Sequence, residues 1–177
     1  ELITKDATIR EIHHRVKNNL QTVASLLRIQ SRRSQSAEAK DSLEQAMRRV
    51  SAIALVHDTL SEGLNQDVNF DEVFDRILML ATEVASSLNT SIKTLIDGKF
   101  GQLRSEIATP LAVALTEIVT NAVEHGLADR SGVVAVNAER KPKQISITVS
   151  DNGKGLTDGK VGTGLGTQII RTLIEGE

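Results

Sequence analysis

The first 64 residues contain no proline, a single glycine and no β-rich run, which leaves long helix as the conformation open to them. Ile9, Ile12, Val16, Leu20, Val23 and Leu27 recur every three or four residues, the spacing of one helical stripe, and predict a helix from about Thr4 to Arg33. The polar residues Ser34 to Glu38 predict a turn. Leu43, Ala46, Val50, Ile53, His57 and Leu60 then predict a second helix from about Ala39 to Ser61. Two long helices joined by a short loop form a hairpin with apolar surface along its length. Pairing with a second copy into a four-helix bundle is the usual way to cover that surface.

From Asn65 onward the pattern is mixed. Asp67–Phe70 and Ser91–Ile96 read as strands, and Asp71–Ser87 as a helix capped by Asn69 or Asp71. Thr109-Pro110 reads as the start of a helix that runs to about His125 and stops at Gly126. Gly132–Arg140 and Gln144–Ser150 are β-rich and joined by Lys141-Pro142-Lys143, a hairpin signal, and Gly166–Ile174 reads as a last short helix. The expected class is α+β, with a helical domain over 1–64 and a second domain over 65–177.

Composition narrows the function. A formal net charge of −2 argues against a protein that binds nucleic acid through a basic surface. The absence of cysteine excludes disulfide and thiol chemistry and is compatible with a reducing, cytoplasmic setting. No apolar run approaches the roughly 20 residues of a membrane span.

The chemistry concentrates first in Glu11-Ile-His-His-Arg-Val-Lys-Asn-Asn-Leu-Gln21, where histidines, cations and asparagines interrupt an amphipathic helix. Asparagine competes for backbone hydrogen bonds and weakens a helix interior, so two in a row beside a residue that titrates near neutrality suggest function over propensity. At 100° per residue, His13 lies roughly 60° from the apolar stripe and His14 roughly 160°, so His14 is expected to face solvent with Glu11, Asn18 and Gln21. His57 falls on the seam of the second helix and reads as a packed histidine.

A second set of motifs follows. Glu117, Asn121 and Glu124 share one stripe of their helix, opposite Leu111, Leu115, Ile118 and Ala122. An Asn amide oxygen suits Mg²⁺, which takes few ligands from protein and the rest from water and phosphate. Asp151-Asn-Gly-Lys-Gly155 follows a strand directly, giving a carboxylate and two glycines in a turn able to approach a flat ligand. Gly162-Thr-Gly-Leu-Gly166 then feeds a helix N-terminus, an arrangement that favours anions. No βαβ unit surrounds it, so it is not a dinucleotide fingerprint.

Taken in that order, these motifs resemble the ATP-binding fold shared by gyrase, MutL, the Hsp90 chaperones and the histidine kinases. His14-Arg-Val-Lys-Asn-Asn-Leu-Gln21, followed by Ser25-Leu-Leu-Arg28, resembles the phosphoacceptor box of bacterial histidine kinases related to the HWE group. The resemblance covers nearly the whole chain. It implies a helical hairpin in a dimeric four-helix bundle, followed by a histidine-kinase/Hsp90-type α/β sandwich. It implies ATP-dependent phosphorylation of His14 and onward transfer to an aspartate of a response regulator receiver domain, one with an RNA-binding output. It places Mg²⁺ on Asn121, an acidic catalytic residue at Glu117, adenine on Asp151 with Gly153 and Gly155 beside the base, and phosphates on Gly162, Gly164 and Gly166. His125 is expected near the phosphates, and Asn18 to orient a water in dephosphorylation of the regulator.

Three departures from that pattern matter. Arg15 stands where many such kinases carry an acidic residue, so the general base is expected to be either Glu11 or Glu117. The stretch between Gly155 and Gly162 is short for a lid over ATP, and the chain stops at Glu177, so the strands that complete the sheet in that family are expected to be missing. Competing readings are an ATPase or serine kinase of the same fold and a non-catalytic dimeric scaffold.

Overall fold

The computed structural model describes residues 2–62, 67–127 and 131–154. The chain divides into two compact units: residues 1–69 with 102–113, and residues 70–101 with 114–177.

The first unit is built on a hairpin. Helix α1 spans Leu2–Arg33 and α2 spans Ala37–Glu62. At 1.5 Å per residue α1 is about 48 Å long. Arg32 and Arg33 in its last turn suit the negative end of the helix dipole. Ser36 starts α2 as an N-cap: its hydroxyl oxygen accepts the Ala39 N–H at 3.2 Å, satisfying one of the donors that a helix start leaves without a partner.

The apolar stripe predicted for α1 is in fact two. His13, Val16, Lys17, Leu20, Ala24, Leu27 and Ser31 form the inner, less exposed line facing α2, whereas Ile9, Ile12, Val23, Leu26 and Ile29 remain exposed. A single neighbouring helix covers only part of a wide apolar arc, so Ile12, Val23 and Leu26, roughly 70–130° further round, stay open, and Ile29 lies on the far side.

Strand β1 (Asp67–Asn69) lies against α2 and pairs antiparallel with β3 (Gln102–Arg104). Helix α4 spans Ser105–Asn121, starting four residues before the Thr109-Pro110 signal, and Pro110 sits inside it. A proline this near the N-terminus costs little, because the carbonyl it leaves without an N–H belongs to Glu106, on the exposed first turn. Among the described residues one helical stretch, Ser105–Gly126, is long and apolar enough to cross a membrane, and most of it is buried in the protein.

The second unit holds α3 (Phe70–Ser87), β2 (Ile92–Gly98), the end of α4, β4 (Gly132–Lys141) and β5 (Gln144–Asp151). Its sheet runs β2-β4-β5, with β2 parallel to β4 and β4 antiparallel to β5. Along β4, Val134, Val136 and Ala138 are buried while Asn137 and Glu139 are exposed, the alternation of a sheet covered on one face. Phe100 stacks between Phe70 and Phe74, with ring centroids 5.0 and 4.9 Å away, and Ile77, Val119, Val123 and Leu127 are also fully buried. Asp71 lies in the first turn of α3 rather than before it. Its carboxylate accepts the N–H groups of Phe100 and Gly101 at 3.0 and 2.9 Å, tying the loop after β2 to the helix.

Candidate functional site

Chemistry-bearing residues gather at one place in each unit. In the hairpin, His14 is exposed and Asn18, one turn later, is exposed on the same side. Glu11 is bound by Arg15, whose Nε donates to its Oε1 at 2.8 Å in a solvent-facing pair. Such a pair contributes little stability, about 0–1 kcal/mol.

His13 lies on the inner line, its Nδ1 at 2.9 Å from Nδ1 of His57 on α2, with ring centroids 5.2 Å apart. His57 is therefore not simply packed among apolar side chains but is half-buried with a directional partner. One turn along α1, Lys17 Nζ donates to Asp58 Oδ1 at 2.7 Å, both side chains largely shielded from water. Burial pushes the His13 imidazole below the usual histidine range; burial and the neighbouring charge of His13 push His57 down as well.

In the second unit, Glu117 and Asn121 stand one turn apart on α4, Glu117 buried and Asn121 half-buried. After Asn121 the helix widens into a π turn, Ala122–Gly126, closed by the Leu127 N–H donating to Ala122 O at 2.9 Å. Such turns insert one residue into a helix and often mark functional sites. They change the angular register beyond Asn121, so Glu124 leaves the stripe predicted from regular spacing. Glu124 is half-buried, and His125 on the same turn is exposed.

The π turn meets the segment after β5. The Lys154 N–H donates to Gly126 O at 2.8 Å, and the Asp151 carboxylate accepts the Gly153 N–H at 2.8 Å. Two glycines allow this approach. A Cβ on Gly126 would lie 2.7 Å from Asp151 Oδ1, and one on Gly153 would run into the Gly126 carbonyl. Asn152 secures the other side, its carboxamide oxygen accepting the Val133 N–H at 2.8 Å. The result is a wall that carries Asp151, exposed at the end of β5, against the backbone of the helix that carries Asn121. Gly155, Gly162, Gly164 and Gly166 lie outside the described residues.

Sequence reasoning passed over Lys17, Asp58, Gly126 and Asn152. Gly126 was visible only as a helix stop. The Lys17–Asp58 pair had no local signal, because its partners are 41 residues apart.

A family model described as "Histidine kinase" matches residues 11–85, and one described as "Histidine kinase-like ATPase domain" matches residues 91–175. The chain belongs to the histidine kinase family. It is 50% identical over 99% of its length to the sensor histidine kinase PdtaS of Mycobacterium tuberculosis (strain ATCC 25618 / H37Rv), and 48% identical to PdtaS of Mycolicibacterium smegmatis. It is 29% identical, over 97% of its length, to blue-light-activated histidine kinase 2 of Erythrobacter litoralis. The chain spans 36% of the length of the PdtaS relatives and 51% of the latter. The solved histidine kinase domain of the Erythrobacter litoralis EL346 blue-light activated kinase superposes with a TM-score of 0.64 at 26% identity, covering 99% of this chain and 83% of that one.

Proposed function

We propose that this chain is the catalytic portion of a two-component sensor histidine kinase that moves the γ-phosphoryl group of ATP to His14 and then to an aspartate of a response regulator. The observation that carries this reading is His14 itself: a histidine on a hairpin helix matched as histidine kinase, exposed where another domain can reach it, in a chain that continues into a histidine kinase-like ATPase domain.

Asp151 accepts a hydrogen bond from the exocyclic amine of adenine, the glycine-rich wall lets the flat base lie against backbone, and Asn121 takes the metal. An amide oxygen suits Mg²⁺ held mostly by phosphate and water. Mg²⁺, when bound, neutralises phosphate charge. A ring nitrogen of neutral His14 attacks phosphorus as the bond to the ADP oxygen breaks, and the phosphoimidazole then gives up its ring proton to Glu11 or Glu117. Catalysis of this step rests on positioning and electrostatics more than on covalent chemistry. His125 approaches the phosphates from the π turn, and Asn18 orients a water for removing phosphate from the regulator.

The exposed stripe of Ile12, Val23 and Leu26, with Ile9 at its edge, is covered by a second copy of the chain, giving the homodimeric bundle. Incubation with γ-labelled ATP and Mg²⁺ tests the reading. Acid-labile, alkali-stable label on the protein is expected; release of phosphate without protein label points to an ATPase, and neither to a scaffold.

A further inference from the structure

The inner line of α1 carries two directional contacts where an apolar seam would suffice. They are made by consecutive residues of α2, His57 and Asp58, to residues one turn apart on α1, His13 and Lys17. That turn of α1 is the one that bears His14. We infer that His57 and Asp58 are positioning residues for phosphoryl transfer: through His13 and Lys17 they fix the rotation of α1 that presents His14 to the incoming phosphoryl group. The inference rests on the proposed role of His14.

The physical case is one of specificity. Apolar side chains in a helix–helix seam tolerate sliding and small rotations, since dispersion and burial have little directionality. A hydrogen bond between two ring nitrogens does not, because it weakens steeply once donor and acceptor lose alignment. A polar pair within an apolar interface is the best-attested way for helices to select one register. His13 and His14 are adjacent, about 100° apart around the helix, so a rotation that breaks the His13 contact turns His14 by the same angle. In-line transfer tolerates little such error: a misplacement of about 1 Å can cost about a hundredfold in rate.

The Nδ1–Nδ1 contact also constrains protonation. One ring must carry the proton on Nδ1 and the other must leave Nδ1 bare. Together the two nitrogens share a single proton. Burial lowers the proton affinity of both rings, which favours the neutral pair that this contact needs. Lys17 and Asp58 neutralise one another beside the rings and add no net charge to them.

The test uses the chain as it stands. Leucine at 57 fills the space without a hydrogen bond. Asparagine at 57 puts its amide group where the imidazole Nδ1 lay. His57→Leu is expected to lower the autophosphorylation rate at saturating ATP about tenfold or more while leaving helicity and the KM for ATP unchanged. His57→Asn is expected to recover most of the rate. Lys17→Asp and Asp58→Lys should each be slow alone and faster combined, because the ion pair is then rebuilt in reverse. An unchanged rate in His57→Leu, or an asparagine variant as slow as the leucine one, overturns the inference. If the unsubstituted chain takes no label, the role of His14 fails, and nitrogen-15 NMR of the imidazoles still tests the clamp. One Nδ1 protonated and one bare in the His13–His57 pair at neutral pH is the expected result. Two Nε2-protonated rings would overturn it.

Discussion

Of the 32 residues of α1, Ser31 is the one buried among the side chains described, whereas the 18 residues of α3 bury Phe70, Val73, Phe74, Ile77, Leu78, Ala81 and Ala85. The second unit is closed around its own aromatic core. The hairpin exposes large aliphatic side chains along α1 and places histidine, lysine and serine in its seam. A unit with a dry, close-packed core can hold a ligand wall to within a fraction of an ångström. A hairpin with an unfinished surface instead depends on what covers it, and its polar seam contacts supply the specificity that close packing supplies in the other unit.

The largest expected effect separates the chemical roles of the two units. His14→Gln should abolish acid-labile label, a loss of roughly a thousandfold or more, since a nucleophile has no substitute, while nucleotide binding stays intact. Label retained in that variant would move the phosphorylated residue elsewhere on α1. Next comes the wall. Gly126→Val sets a branched side chain against the Asp151 carboxylate, so nucleotide affinity should fall at least tenfold, about 1.4 kcal/mol, while the hairpin keeps its oligomeric state. Titration calorimetry with a nucleotide analogue reads the first and light scattering the second. Normal affinity would show that the contact between Gly126 and Asp151 is not part of the binding surface.

Leu26→Glu addresses the open face of the hairpin. A charge in that stripe should weaken self-association about tenfold to a hundredfold, as loss of a central interface residue does, and leave nucleotide affinity untouched. A dimer of undiminished stability in sedimentation experiments would mean that another surface joins the copies.

The smallest effect is one of pH, and it belongs to the hairpin. His13 and His57 both have folded-state pKa values below the ordinary histidine value of 6.5. The unfolded chain therefore takes up protons first as pH falls. The contribution to stability is fully present above 6.5 and is lost as pH drops from there through the folded values. Urea midpoints of the hairpin should decline modestly between about pH 7 and pH 5, and the decline should shrink in a His13→Asn, His57→Asn double variant. An equal slope in both proteins would place the titrating groups elsewhere.

The hairpin was legible in sequence because its signals are long. Spacing over some thirty residues leaves little choice of structure, and the helix ends fall within two residues of those read from composition. Features set by distant partners leave no such local signal. Strand β3 is three residues long, and of these Leu103 alone is buried, too little to show alternation. Its pairing with β1 joins residues more than thirty positions apart. The start of α4 was misplaced because Pro110 has the right conformation for a first turn and is tolerated just beyond it. The residues of the candidate site could be picked from motifs, since Asn121, Asp151 and Gly153 each bring a distinct chemistry. Their assembly could not, because it depends on the π turn, and no residue in Ala122-Val-Glu-His-Gly126 announces one.

That turn amounts to a one-residue dislocation at the end of a regular rod. Deleting any single residue between Ala122 and Gly126 would let the last turn close with α-helical bonds, and the isolated helix would gain by it. The wall would not, since the Gly126 carbonyl would rotate away from the Lys154 N–H. The segment is locally frustrated, kept from its own best geometry by the contact it makes with the end of β5. Sequences that repair the dislocation should therefore come out of a stability screen more readily than out of a screen for nucleotide binding.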